Sequence, residues 1–584
     1  MKKLLCVLSV LCSFHSAHAL DRQAFTFTDY DLKLKVTPAT QSLEAEGKVT
    51  LRNDTAQPQR NPVLQISSTL AWNSIVIAGK PAQYLAEPYT SDIDHSGALS
   101  EAIITLPQPV PPQGTVEVEF SYSGKIPQDA TRLTRIGVPA ERAARSDWDQ
   151  IGEAFTGVRG IGYVAWYPIA TEAVSLSEGN QVFETAEAWK RRQAQAKFSA
   201  HVCAGEYATQ PPAEGLIANV TWGGGIGFSH IGPPSPPYTM CDVFVWKPLR
   251  PTVPTFAIGD YRSLNQAAMA IRYVAGHESY ARGWATAGEK IAPFIAQWFG
   301  PRKQPVQIVE LPDKDMAPFE AGSVLFTPLV RGEENDIQVV VAHQFAHASF
   351  QSPRLWIDEG LAHFAQALVR EQQEGRAAAL AYMDERLPPL QEAEKEFLPA
   401  ASGKVVDPPP QGQSLIEAGD EVFFRTKAMF VWWMLRDMVG DEALERAIRA
   451  YRPEQDKDAS YLQRVLAAQF HRDLEWFFDD WVYRDRGLPE FHIAEVYPRK
   501  LIPEDWSVTV AVENSGEAGA EVPVAVRADQ GEERKRLEVR AHEKASVRIP
   551  IPVVPKLAVV NDGSVPAFEM DNNSAEISTP EVSQ

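Results

Sequence analysis

The sequence predicts a multidomain α+β protein with an N-terminal β-sheet domain, a helical domain and a C-terminal β-sandwich. Three observations lead there. Residues from about 21 to 262 alternate apolar and polar side chains between Pro- and Gly-rich turns. From about 263 the apolar spacing lengthens to the helical period, and from about 498 to 572 alternation returns. At 584 residues the chain is long enough to bury several cores.

In chain order, Lys2 and Lys3 precede the apolar run Leu4 to Phe14, and Ala17-His18-Ala19 supplies a small-residue cleavage site. Residues 1–19 therefore read as a signal peptide, with an exported chain, periplasmic or secreted, starting near Leu20. Leu11 stands where a lipid-modified cysteine needs a small residue, so Cys12 is not an anchor. No later run is long enough to be a transmembrane segment. The 76 acidic residues against 56 basic ones give a charge of −20, which argues against nucleic acid or an anionic membrane as partner.

Residues 20–262 form the β-rich domain. Leu32, Leu34 and Val36 alternate, Thr37 to Thr40 turns, and a second run follows through Val49 and Leu51. The glycine run Trp222 to Gly227 lacks the Lys-Ser/Thr and helix of a phosphate loop and reads as a turn. Beyond the signal only Cys203 and Cys241 remain, to pair as a disulfide or stay as buried thiols. Residues 263–497 read as helical: Ala267 to Trp298, Val339 to Phe350, Ile357 to Glu374, Ala379 to Leu387 and Phe424 to Met438, with Pro388-Pro389 as a stop. Residues 498–572 alternate through Trp506, Val508, Val510 and Val512, as a sandwich requires, and 573–584 read as a flexible polar tail.

Chemistry concentrates at His343-Gln344-Phe345-Ala346-His347. Histidines four apart share a helix face and can ligate one metal ion. In the familiar H-E-x-x-H motif the Glu accepts the proton of the attacking water. Gln344 replaces it here, and a carboxamide accepts no proton near neutral pH. Glu359 follows at the start of the next helical segment, in Trp356-Ile357-Asp358-Glu359-Gly360. A His-His-Glu set leaves a fourth zinc position for water.

With these residues the chain resembles the membrane alanyl aminopeptidase family of gluzincin zinc metallopeptidases, as a divergent member. That family carries H-E-x-x-H, then eighteen residues, then the Glu of W-x-N-E-G. Here only Ala348 to Asp358 intervene, a shortening of close to two helical turns that Pro353 can turn as a corner. Trp166-Tyr167-Pro168, Phe256 to Tyr261, and Phe477, Trp481, Gly487 and Pro489 also resemble family stretches, so the likeness runs from about 25 to 490. It implies a thermolysin-like helical domain and one Zn2+ per chain, held by His343, His347 and Glu359. It implies Glu320, in Ala317 to Ala321, as the residue that binds the amine of peptides or protein N-termini, although Ala317 and Ala321 replace the family's Gly and Asn. Alignment of Phe423 to Ala428 with the family's Y-x-K-G-A places Phe424 where a Tyr stabilises the oxyanion.

Base and oxyanion donor are thus both replaced while the metal ligands stay. The expectation is an exported zinc-binding, aminopeptidase-type protein with weak or no activity. Two alternatives stand beside it: an active aminopeptidase with a rerouted base, Asp358 or Glu320, and a metal-free peptide-binding scaffold. Tyr382, Tyr451 and Tyr483 are the tyrosines available to replace the lost donor.

Overall fold

The computed structural model describes residues 20–207, 216–218, 238–266, 268–330, 332–396, 414–470, 472–501, 505–569 and 573–578. The signal segment and the glycine run lie outside the described residues, as does the loop 400–413. No helix among the described residues is long and apolar enough to cross a membrane.

Alternation in Phe25–Thr37 buries Tyr30, Leu32, Leu34 and Val36 and leaves Asp31, Lys33 and Lys35 outside. This strand pairs with Ser42–Asn53 in a seven-stranded sheet. The sheet rests on Trp166-Tyr167-Pro168, where the Tyr30 hydroxyl donates to the Pro168 carbonyl and the Tyr122 hydroxyl to that of Trp166. Two three-stranded sheets complete the N-terminal part. Cys203 and Cys241 face each other in antiparallel register, Cα atoms 4.1 Å apart, and are disulfide-bonded.

A mixed five-stranded sheet follows, ordered Tyr261–Gln266, Met269–Val274, Val306–Glu310, Val324–Thr327 and Phe319–Ala321. The helix predicted from Ala267 therefore starts late: Met269–Val274 is a strand and the helix runs Glu278–Phe299. Six residues are too few for periodicity to separate the two states, and parallel pairing with Val306–Glu310 decides for strand. Next come the helices Glu334–Ser349, Leu355–Glu374 and Arg376–Asp384. Pro388-Pro389 do not stop a helix but open one, Leu387–Glu396, where the first turn needs no N–H donors.

The C-terminal sandwich packs sheets of three and four strands. Its first strand, Phe491–Lys500, starts before residue 498, because the helical part already ends at Tyr483. The stretch from 573 read as a tail contains a strand, Ser574–Glu576, on Leu557–Val560. Backbone pairing and burial of Ile577 hold it, which its polar composition conceals. Helical part and sandwich share one apolar core, while the N-terminal sheets build a second that takes in Val309, Phe319, Val324 and Phe326. The edge strand Phe319–Ala321 thus lies where the two cores meet, and the cleft opens there.

Candidate metal centre

Residues 341–349 of the helix Glu334–Ser349 are all buried, so its charged positions are confined to its first turns and its histidines. His343 and His347 share a face and bring their Nε2 atoms to 3.0 Å. The connection 350–354 turns at Pro353 and is pinned by the Arg354–Asp456 ion pair at 2.8 Å. The helix Leu355–Glu374 then delivers Glu359, with Oε1 3.5 Å from His347 Nε2 and Oε2 3.7 Å from His343 Nε2. Gly360 permits this approach, because a Cβ there would sit 2.6 Å from the Cβ of Ala428 in the packed helix Ala428–Val439. The shortened spacing therefore still brings all three side chains together.

Two ring nitrogens 3.0 Å apart can both be served by one proton or one cation, and the carboxylate completes a donor set suited to zinc. His347 has the orientation such a ligand needs: its Nδ1 lies 3.3 Å from Asp358 Oδ2, which leaves Nε2 for the metal. Burial alone would lower the His347 pKa, but Asp358, Glu359 and Glu320 outweigh it and lift it to about 9. His343 lacks a carboxylate at Nδ1, and the ring of His363 packs 4.9 Å away. Burial, then His343 and Arg425, push the His363 pKa well down. The residues fit a His-His-Glu metal site.

One cation departs from that pattern. Arg425 donates through Nε to Glu359 Oε2 at 3.1 Å and reaches Glu421 at 3.2 Å. Burial would raise the Glu359 pKa, but Arg425 and the two histidines hold it at about 2. Arg425 belongs to the π-helical turn Val422–Lys427, whose wider winding alters which side chains reach the site. Sequence reasoning passed over it, although it adjoins Phe424 in the stretch singled out.

The site forms one wall of a cavity of about 340 Å³. Glu320, Phe424 and Arg425 line it with His347, Asp358 and Glu359. Glu320 Oε2 is 2.8 Å from His343 Nε2, without donor-acceptor alignment, and His343 and Arg425 overcome its burial to keep it ionised. Phe424 is buried and presents only its ring. Gln344 is fully buried, does not line the cavity, and neither atom of its carboxamide has a partner among the described residues. Asp358 is committed: Oδ1 accepts the Ser352 N–H at 2.8 Å while Oδ2 faces His347. Tyr382, Tyr451 and Tyr483 line no part of the cavity, whereas Tyr163 does.

No protein-family model and no curated protein matches the chain. Solved structures resemble it in fold. A zinc metallopeptidase of the M1 class from Deinococcus radiodurans is 16% identical, with 79% of this chain and 93% of that one covered and a TM-score of 0.46. A mutant from that organism bound to a Tyr-Ser-Ala substrate gives 15%, 79%, 94% and 0.47. A two-domain mutant bound to L-tryptophan gives 16%, 80%, 95% and 0.46. Likeness at this level transfers no role to any residue here.

Proposed function

We propose that the chain is an exported, zinc-binding, aminopeptidase-type member of the gluzincin metallopeptidases that binds peptide N-termini and hydrolyses them weakly or not at all. The observation that carries this is the convergence of His343, His347 and Glu359, the last two of which line the cavity. These three would hold Zn2+, which when bound acts as a Lewis acid that acidifies water and polarises a carbonyl. Glu320 offers an ionised carboxylate beside them, suited to a peptide ammonium. Asp358 orients His347 and is not free to take a proton. Gln344 takes none, and Phe424 offers no donor where charge develops on a carbonyl oxygen. Loss of a general base costs about 10²–10⁴ in rate and loss of one oxyanion donor about 10²–10³.

The test is zinc content and hydrolysis of an aminoacyl-fluorophore panel, with and without chelator, on one preparation. One zinc per chain, lost in His343→Ala, with little turnover is the expected result. Protein with no stoichiometric zinc would refute the reading and leave a metal-free scaffold. Chelator-sensitive turnover would establish an active enzyme with a rerouted base, for which a further candidate beside Glu320 is Glu187, a lining residue. Burial pushes its carboxyl up, its Oε2 has no partner, and it lines the cavity. Turnover lost in Glu187→Gln would assign it.

A further inference from the structure

The charged groups around the cavity are almost all matched. Lys190 pairs with Glu187, Arg425 with Glu359 and Glu421, Asp358 with His347, and Glu320 approaches His343. Arg250 is the exception. Arg250 lines the cavity and, among the described residues, its guanidinium has neither a hydrogen-bond partner nor an ion-pair partner; Asp358 exerts only a longer-range pull. It is partly buried, so it has given up water without gaining an anion.

Its backbone shows that this placement is imposed. Arg250 has φ +63°, a left-handed conformation that a long side chain rarely adopts. The N–H of Arg250 donates to the Ala194 carbonyl at 2.7 Å, and that of buried Leu249 to Ala196 at 2.8 Å. Two anchors thus hold the backbone of a strained residue that lines the same cavity as Glu320. An unpaired guanidinium carried there, in a partly dry wall, suits a planar anion that can take two parallel hydrogen bonds.

We propose that Arg250 is a carboxylate anchor of this cavity, receiving the C-terminal carboxylate of a short peptide whose amino end lies toward Glu320. The inference rests on the peptide-binding reading of the site and narrows its ligand to short, free peptides. A cavity of about 340 Å³ is small for anything longer than a few residues.

The experiment compares the tripeptide Ala-Ala-Phe with its C-terminal amide by calorimetric titration of zinc-supplemented full-length protein. A charge-assisted contact of this kind predicts that the free acid binds about ten- to a hundred-fold more tightly than the amide. Arg250→Asn, which suits a left-handed backbone, should shrink that ratio below about three-fold, with the acid losing more affinity than the amide. Arg250→Lys should keep part of it, since the charge stays and the fork is lost. Equal binding of acid and amide by the wild type, or full discrimination kept in Arg250→Asn, would overturn the assignment while leaving peptide binding intact. If neither ligand binds, the peptide-binding reading falls and takes this inference with it.

Discussion

Arg425→Gln tests whether Glu359 serves the metal, because the guanidinium and the metal ion claim the same carboxylate. In the structure Glu359 is held at about 2 against an ordinary value of 4.5, mainly by Arg425 once burial is overcome. That difference corresponds to about 3 kcal/mol at 1.36 kcal/mol per pH unit, of which Arg425, the largest of the opposing influences, supplies about 1–2 kcal/mol. The folded pKa lies below the unfolded one. The contribution is therefore fully present above about 4.5 and drains away as pH falls toward 2. At pH 7.5 and in chelator, urea unfolding of Arg425→Gln should show a loss of this size, or somewhat more because Glu421 also loses its partner. Zinc should reverse the order. With no guanidinium to displace, the variant should bind zinc about ten-fold more tightly in competition with a chromophoric chelator, 1.4 kcal/mol being a factor of ten. A variant that is destabilised in chelator yet binds zinc no better than the wild type would refute the reasoning and remove Glu359 from the ligand set.

Three further outcomes are expected. Gln344→Glu with Phe424→Tyr should raise chelator-sensitive aminoacyl hydrolysis by at least about 10²-fold over the wild type; no gain would mean that other replacements disable the site. Lys427 is buried between Glu394 and Asp485 at 2.6 Å from each, and burial together with Asp485 pushes Glu394 up to about 7 against the pull of Lys427. A raised carboxyl stabilises the fold fully below about 4.5 and loses this as pH rises through 7, so melting temperature should fall from pH 5 to 8.5 and stay flatter in Glu394→Gln; parallel profiles would count against it. Reduction of Cys203–Cys241, which spans 38 residues, should cost about 2–4 kcal/mol in urea unfolding, and an unchanged midpoint would contradict that.

Much of the fold was legible because its elements carry clean periods. The strand Phe25–Thr37 alternates from Tyr30 to Val36, and residues 341–349 of the motif helix are apolar apart from His343, Gln344, His347 and Ser349. What stayed hidden depends on partners distant in sequence. Met269–Val274 is a strand because Val306–Glu310 lies beside it, and Ser574–Glu576 because Leu557–Val560 does. The site divides in the same way. His343, His347 and Glu359 were visible from spacing and motif, whereas Arg250 and Arg425 were not. Arg250 comes from the stretch between Tyr238–Trp246 and Phe256–Gly259, which connects two of the N-terminal sheets, and no motif marks it. Arg425 was concealed by the π-helical turn, since residue types alone do not reveal that the winding changes at Val422–Lys427.

That turn bears on how the two replacements belong together. Phe424 supplies no hydroxyl, and its neighbour brings a permanent positive charge onto Glu359, the third candidate ligand. A cation beside Glu359 weakens the carboxylate as a ligand, and Gln344 forgoes the proton acceptor on the opposite helix. Both changes act against water activation, yet neither disturbs the His343–His347 pair or the orientation of His347 by Asp358. Gly360, whose missing Cβ lets the Glu359 helix close against Ala428 and Trp432, keeps the three donors together. On the proposed function, the geometry gathers three donors in a chain that carries Gln344 and Phe424 in place of a base and an oxyanion donor. Such a site would hold a metal and a ligand rather than turn one over, with Glu320 and Arg250 proposed to meet the two ends of a peptide.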